Sequence, residues 1–127
     1  MSELTLQRIP FTTEADNRLR LLKSRTGITP NILCRLGFCL SLEEVGVPEL
    51  LPEDYKQGRE INRYTLLGKD DLIYVSLLLV RLQRDNISLD KVNDMFLAHV
   101  HRGIELLSAR VKNVSNVGTL CQLTVLI

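Results

Sequence analysis

The sequence predicts a mainly α-helical, compact domain whose N-terminal half follows a ribbon-helix-helix order, a short strand and then two helices, with two further helices after it. In four stretches of the 127-residue chain, apolar side chains recur at helical spacing or fill every face, and helix-starting and helix-ending residues bound these stretches. The length suits one domain with its own core. We divide it into a ribbon-helix-helix-like part (1–45), a long loop (46–68), a two-helix part (69–112) and a tail (113–127).

The chain opens in an extended conformation. Leu4 and Leu6 alternate with Thr5 and Gln7, which is the period of a strand. Pro10 cannot donate a ladder hydrogen bond, so it restricts this strand to a sheet edge or a turn.

Two helices follow in quick succession. Thr13 is the expected N-cap of the first, at residues 14–26, with acidic residues in its first turn and Gly27 just past its end. Thr29 is the expected N-cap of the second, where Pro30 occupies the first helical position. The predicted buried stripe of the first helix consists of Ala15, Leu19 and Leu22, and the apolar face of the second consists of Ile32, Leu33, Leu36 and Leu40.

The second half contains a loop and two more helices. Pro48, Pro52 and Gly58 indicate a long loop up to residue 68. The helix predicted at 70–84 is apolar on every face, so we expect it to be central to the core and also shared with another subunit. Ser88 opens the last helix, and its stripe contains Leu89, Val92, Phe96, Val100, Leu107 and Val111. The tail is either a short strand or a docked arm.

Charge placement is the main functional signal. The net charge is only +1, yet residues 1–42 carry six Lys or Arg against three acids, and residues 43–60 carry six acids against two bases. The candidate phosphate-binding residues surround the corner between the first two helices: Arg18, Arg20, Lys23, Arg25, Arg35, Thr29 and Asn31. Free N–H groups and the dipole at a helix start attract anions. The alternative is that the cations only solvate a helix and that Thr29 only caps one.

Other function classes find little support. The aromatic residues lie outside the basic cluster, which favours contact with a duplex backbone over stacking of single-stranded bases. His99 and His101 point to different sides of a helix and cannot share a metal ion. We therefore predict no catalytic residues, no metal and no cofactor.

The remaining charged and sulfur-containing residues are expected to be structural. Arg59 and Arg63 flank Ile61 and could extend a basic surface, but we favour their pairing with Glu53, Asp54 or Glu60. The three cysteines, Cys34, Cys39 and Cys121, lack metal-binding spacing and are predicted to be reduced, buried thiols. Because no signal peptide or membrane-spanning run is recognisable, we expect a cytoplasmic protein without a membrane partner.

Two segments, "RLLKSRTGITPNILCRLGFCLSLEE" and "GREINRYTLLG", followed by a long apolar helix, resemble the DndE family of DNA sulfur modification proteins over residues 5–110. The resemblance implies a helical subunit that forms a homo-oligomer, a tetramer, and binds double-stranded DNA, with a preference for nicked sites. It also implies that the protein acts beside a cysteine desulfurase and a sulfur-transferring complex without performing the sulfur chemistry. The family's basic surface corresponds first to Lys23 and Arg25, then to Arg18, Arg20 and Arg35.

The sequence thus predicts a non-catalytic DNA-binding accessory subunit of the phosphorothioation system, and two alternatives stay open. One is a ribbon-helix-helix transcriptional regulator, in which Thr5, Gln7 and Glu3 read bases. The other is an oligomeric assembly scaffold without DNA contact, built by the apolar helix at 72–80 and with the loop at 59–67 as its partner surface.

Overall fold

Most of the chain is helical, and this confirms the predicted fold class. The structure, a computed structural model, describes residues 3–54 and 56–112. The helices are α1 (Thr13–Thr26), α2 (Pro30–Glu43), α3 (Arg63–Leu67), α4 (Asp71–Arg84) and α5 (Val92–Val111), and the strands are β1 (Arg8–Pro10) and β2 (Glu60–Asn62). Single 3-10 turns, Gly68–Asp70 and Leu89–Lys91, lead into α4 and α5. The predicted tail at 113–127 lies outside the described residues.

In the corner between α1 and α2, the helix ends lie within one residue of the predicted positions. Thr12, not Thr13, is the N-cap of α1, and its Oγ1 accepts a hydrogen bond from the backbone N of Ala15 at 3.0 Å. Thr13 already has helical geometry, so the prediction was one residue late. Gly27 ends α1 with φ 74°, a left-handed conformation that favours glycine, and its N–H donates to the carbonyl of Lys23 at 2.8 Å.

The two strands form a small antiparallel sheet within the chain, with Ile9 opposite Ile61. Pro10 sits at the end of β1, in agreement with its predicted edge position. The segment predicted as a long loop is not irregular throughout, because β2 and α3 lie in its second half. A three-residue strand with one apolar side chain has no recognisable period, and β2 is stabilised by pairing with a distant part of the chain.

Helix α5 forms the centre of the core. The side chains of Phe96, Ile104 and Leu107 are fully buried on it. Where α2 crosses α5, a Cβ atom added to Gly37 would lie 2.7 Å from the carbonyl carbon of Gly103. The two glycines therefore permit a close approach of the helix backbones that a larger residue would prevent.

Helix α4 is buried on one face only. Val75, Leu78 and Leu82 pack into the core. The opposite face exposes four large apolar side chains, Leu72 (75%), Ile73 (58%), Leu77 (44%) and Val80 (56%). Within the described residues, none of the helices has the length and apolar character needed to cross a bilayer. The structure confirms that α4 contributes to the core, and its exposed face is unpartnered in a single chain.

A polar cluster closes the C-terminal end of α2. Arg81 and Arg102 both donate to the carbonyl of Gly46, at 2.6 and 2.9 Å. Arg102 also donates to the Ser41 carbonyl at 2.7 Å, and Ser41 Oγ lies 2.8 Å from Nδ1 of the buried His99. The two guanidinium groups thus satisfy carbonyl groups that a helix end leaves without partners.

Candidate nucleic-acid interface

A shallow cleft on one side of α1 collects three cationic side chains. It has a volume of about 470 Å³, and the residues that line it are Arg20, Lys23 and Ser24 from α1 and Arg59 from the chain just before β2. Arg20 and Lys23 are three positions apart, so they lie on one face of the helix. The structure therefore brings together two of the predicted phosphate-binding residues and adds a third cation, Arg59, for which ion pairing was the favoured prediction.

Asp16 lies at the base of this group. Its side chain is 9% exposed, and Oδ1 accepts hydrogen bonds from Nε of Arg59 at 2.7 Å and from Nε of Arg20 at 3.3 Å. Oδ2 accepts from the backbone N of Arg59 at 3.0 Å. Burial pushes the pKa of the Asp16 carboxyl upward, but the hydrogen bonds from Arg59 and Arg20 outweigh it and lower that pKa below its ordinary value. The carboxylate is therefore charged at neutral pH.

The outer nitrogens of both arginines remain available. Each guanidinium uses its Nε atom for Asp16, and within residues 3–54 and 56–112 neither makes a hydrogen bond through its Nη atoms. The side chain of Arg20 is 67% exposed and that of Arg59 is 31% exposed. Lys23 is exposed beside them. Guanidinium groups in this state can donate pairs of hydrogen bonds to phosphate oxygens.

The backbone before β2 is held firmly against the start of α1. Gly58 donates to the carbonyl of Phe11 at 2.9 Å, and Phe11 donates to the carbonyl of Arg59 at 3.0 Å. A Cβ atom at Gly58 would lie 2.6 Å from the carbonyl oxygen of Thr12, so the two chain segments touch with no room for a side chain. These contacts place Arg59 beside α1.

Arg18 faces a different groove. Its Nη2 atom lies 2.7 Å from Oε1 of Glu14, one helical turn away. The groove, of about 820 Å³, is lined by more acidic than basic residues, and the acidic ones are Glu14, Glu44, Glu49, Asp54 and Glu105. Arg18 thus lies in surroundings that are unfavourable to an anion.

Arg25 and Arg35 are not among the residues that line the cleft. Arg25 donates to the carbonyl of Lys112 at the end of α5, at 3.0 Å. Arg35 donates through Nε to the carbonyl of Leu66 at 2.6 Å and through Nη2 to that of Thr65 at 3.2 Å. Both side chains therefore bind backbone carbonyls of other elements and help to hold α1 to α5 and α2 to α3.

The start of α2 has the predicted position but different side-chain bonding. The Thr29 hydroxyl does not cap the helix and instead donates to Oδ1 of Asn31 at 2.5 Å. Consequently, the side chain of the N-cap residue accepts no hydrogen bond from the first turn of α2. Neither residue lines the cleft, so the helix start and the cation group are separate features of this surface.

The sequence favoured ion pairing over a basic surface for Arg59, because the position of this residue in the cleft depends on contacts that are distant in the sequence. Arg59 and Arg63 do form ion pairs, as predicted, but the predicted acidic partners were wrong. Arg59 pairs with Asp16 and Arg63 pairs with Asp71, both at 2.7 Å. No periodicity links Arg59 to a residue 43 positions earlier. The sequence offered only a general signal, the surplus of basic residues in 1–42 and of acidic residues in 43–60.

The described residues show no constellation for metal-dependent or nucleophilic chemistry. Residues 3–54 and 56–112 contain no group of three His, Cys, Asp or Glu side chains that could hold a metal ion. Burial raises the pKa of the Cys34 thiol to about 12, which makes it a poor nucleophile. The prediction of buried cysteines holds for Cys34 but was wrong for Cys39, which is exposed; Cys121 lies outside the described residues.

The fold and the cleft together define a small, mainly helical protein with a two-stranded antiparallel ribbon and an anion-attracting surface. Comparison with known protein families identifies one of them for this chain. The chain belongs to the DndE family, whose sequence profile, DNA sulphur modification protein DndE, matches residues 8–115. The resemblance found in the sequence is therefore confirmed.

Solved structures show the same architecture. The DndE of Escherichia coli B7A, involved in DNA phosphorothioation modification, is 28% identical to this chain, with a TM-score of 0.65. The match covers 84% of this chain and 99% of the Escherichia coli chain. The structure of a DndE G21/24K mutant, also involved in DNA phosphorothioation, is 24% identical to this chain, with a TM-score of 0.60. The match covers 82% of this chain and 98% of the mutant, and at this identity it supports the fold alone. Among the curated proteins, none matches the chain.

Proposed function

We propose that this protein is a non-catalytic, DNA-binding accessory subunit of the DNA phosphorothioation system, and that it grips the backbone of duplex DNA. The observation that carries the proposal is the cleft lined by Arg20, Lys23 and Arg59, in which the carboxylate of Asp16 binds both arginines. Membership of a family of DNA sulfur modification proteins supports DNA as the source of the phosphate.

The chemistry of the cleft favours backbone contact over base reading. Guanidinium and ammonium groups bind phosphates of any sequence, and such contacts position a protein without specifying bases. Tyr64 is an exposed aromatic residue, but it belongs to α3 and does not line the cleft. The proposed ligand is therefore a duplex, with intact and nicked DNA both as candidates.

We further propose that the protein is a homo-oligomer, a tetramer, assembled in part through α4. Four large apolar side chains are exposed on one face of this helix, and a soluble monomer rarely leaves such a patch uncovered. An oligomer would present several clefts to one duplex, and linked sites bind far more tightly than a single site. This explains how a chain with a net charge of +1 could hold DNA. Its working partners would be the other phosphorothioation proteins of the cytoplasm, including the sulfur-transferring complex.

The exposed face of α4 also favours a second candidate, an oligomeric scaffold that never touches DNA. This candidate uses the same helix but gives the cleft no role. The ribbon-helix-helix regulator has less support, because β1 pairs with β2 of the same chain rather than standing available for a second copy.

A titration of the full chain against fluorescently labelled duplexes separates these candidates. Fluorescence anisotropy would be measured with two unrelated sequences, each intact and nicked. We expect similar affinities for the two sequences, and weaker binding when Arg20→Ala and Lys23→Ala are combined. The matched control is Arg84→Ala with Lys91→Ala, which removes the same charge from exposed positions outside the cleft. Absence of binding would favour the scaffold, and binding to one sequence alone would favour the regulator.

A further inference from the structure

We propose that the cleft is a site for a single phosphate group, in which Arg20 and Arg59 hold the phosphate oxygens and Asp16 is the positioning residue for both arginines. This inference rests on the proposed function and deepens it, because it names the contacting atoms and adds two residues to the site. The contacting atoms are the outer Nη nitrogens of the two guanidinium groups, with Lys23 beside them.

Asp16 holds both arginines through the same atom. Its Oδ1 accepts the Nε–H of Arg20 at 3.3 Å and that of Arg59 at 2.7 Å. A guanidinium group held through Nε presents a pair of Nη atoms on its far side. The shared carboxylate therefore directs two forks of N–H donors away from itself and toward the cleft that both side chains line.

Arg59 is held rigidly in this arrangement. Arg side chains lose considerable rotamer entropy when they are fixed, and this loss weakens binding if it occurs only when the ligand arrives. Asp16 is buried, and it also accepts the backbone N–H of Arg59 at 3.0 Å. Arg59 is thus fixed at both its main chain and its side chain before any ligand binds.

The balance of charge in the cleft favours an anion. Three cations, Arg20, Lys23 and Arg59, line the cleft, and the carboxylate of Asp16 pairs with the two arginines, so the four side chains together carry a charge of +2. This suits a phosphate group, whether it is a diester of an unbroken strand or a terminal monoester at a strand break. The two sources share the same chemistry and can be distinguished by experiment.

The decisive variant is Asp16→Asn, because two explanations predict opposite results. If the cleft attracts DNA only through its net positive charge, removal of an acidic residue should strengthen DNA binding. If Asp16 positions the arginines, binding should weaken by about tenfold, the effect of losing one charge-assisted hydrogen-bonding group. Glu105→Gln is the control, since it removes the same charge from an exposed position on α5 that lines the other groove.

A second variant guards against a folding defect. Arg59→Lys retains the positive charge but removes the pair of Nη donors. We expect it to lower affinity about threefold to tenfold while leaving the dependence on salt unchanged. Arg59→Gln should both lower affinity and reduce the slope of log K against log salt by about 0.9. Arg84→Gln, which removes an exposed arginine outside the cleft, is the control, and it should lower the affinity for the same duplex less than Arg59→Gln does.

Arginine side-chain NMR signals can distinguish the two sources of phosphate. They would be followed in the full chain with inorganic phosphate, with intact duplex, and with nicked duplex carrying either a 5′-phosphate or a 5′-hydroxyl at the nick. Shifts at Arg20 and Arg59 with all the duplexes support a backbone diester, and shifts that require the 5′-phosphate support a terminal monoester.

Failure of the inference and failure of the proposed function give different results. If the wild type binds duplex but Asp16→Asn and Arg59→Lys bind as tightly as it does, the positioning inference fails and the proposed function stands. If the wild type binds none of the duplexes, the proposed function fails, and the inference about DNA fails with it.

Discussion

Gly37 and Gly103 face each other where α2 crosses α5, and a Cβ atom at either position would collide with the backbone of the other helix. This contact sets the distance between the two helices that build most of the core. Helix α1, which carries the cleft, packs against α5 as well, so the site depends on a framework fixed by two glycines.

Replacement of either glycine by alanine should therefore destabilise the protein. Alanine normally favours a helix by up to about 1 kcal/mol over glycine, but forcing a methyl group into a filled contact costs about 1–3 kcal/mol or more. We expect Gly103→Ala to lower the free energy of unfolding by about 2 kcal/mol in urea denaturation. Asn17→Ala, at an exposed position of α1, should change it little. An equally stable or more stable Gly103→Ala protein would show that the helices can separate without penalty.

The buried arginine of α4 gives a second prediction. Arg81 is 4% exposed, donates to the Leu42 and Gly46 carbonyls at 2.6 Å each, and pairs with Asp85 at 2.8 Å. Arg81→Met removes the donor to the Leu42 carbonyl and to the largely buried Asp85 carboxylate, while Arg102 still donates to the Gly46 carbonyl, so we expect a loss of about 3 kcal/mol of stability. Arg84→Met, at an exposed position of the same helix, is the control for thermal unfolding followed by circular dichroism. Equal melting temperatures for the two variants would contradict the prediction.

Stability should also fall in mild acid because of His99. Burial, and after it the positive charges of Arg102 and Arg81, lower its pKa from 6.5 to about 4, while Asp85 acts in the opposite direction. The imidazole is neutral in the folded protein, and its Nε2 finds no hydrogen-bond partner among the described residues. The unfolded chain therefore binds a proton at a higher pH than the folded chain does.

The sign of the effect follows from this order of pKa values. Above the pKa of His99 in the unfolded chain, the neutral imidazole makes its full contribution to the free energy of unfolding. That contribution, about 3 kcal/mol at most, is lost as the pH falls from 6.5 toward 4. The chain has two histidines, so an NMR titration can resolve both. We expect one of them to titrate near pH 4 in the folded protein and both to titrate near 6.5 in urea. A folded protein in which both histidines titrate near 6.5 would contradict this assignment.

The apolar face of α4 gives a prediction about assembly. Leu72→Glu combined with Leu77→Glu places charges at exposed positions, so the fold of a single chain should be retained while an interface between copies is disrupted. Light scattering after size exclusion should then show a smaller particle than the wild type. The control is Asn17→Glu, which places a charge at an exposed position of α1, outside the exposed face of α4, and should leave the particle size unchanged. A strictly monomeric wild type would contradict the proposed oligomer.

The sequence predicted those parts of the fold that depend on local signals. Apolar spacing and the residues Gly27 and Pro30 located α1 and α2 almost to the residue, because caps and stripes act within one or two turns. By contrast, β2 and α3 lie in a segment expected to be a loop. β2 exists because it pairs with β1, and no local pattern records a partner some fifty residues away.

The candidate site could be predicted only in part for the same reason. Arg20 and Lys23 share a helix face, so their proximity follows from helix geometry. Arg59 joins them through Asp16, which looked like an ordinary acidic residue in the first turn of a helix. Arg35 shows the converse, since its charge suggested a ligand-binding residue and no local pattern predicted that its guanidinium group would donate to carbonyls of α3.

The salt dependence of duplex binding tests the central claim most directly. The affinity of the wild type for two unrelated duplexes would be measured across a range of salt concentrations, beside the Arg20→Ala/Lys23→Ala variant. We expect the same steep slope of log K against log salt for both sequences. In the variant the slope should be smaller by about 1.8, because each of the two missing cations would otherwise neutralise one phosphate and add about 0.9. Binding that is absent, insensitive to salt, or unchanged in slope after both cations are removed would contradict the proposed grip on the DNA backbone.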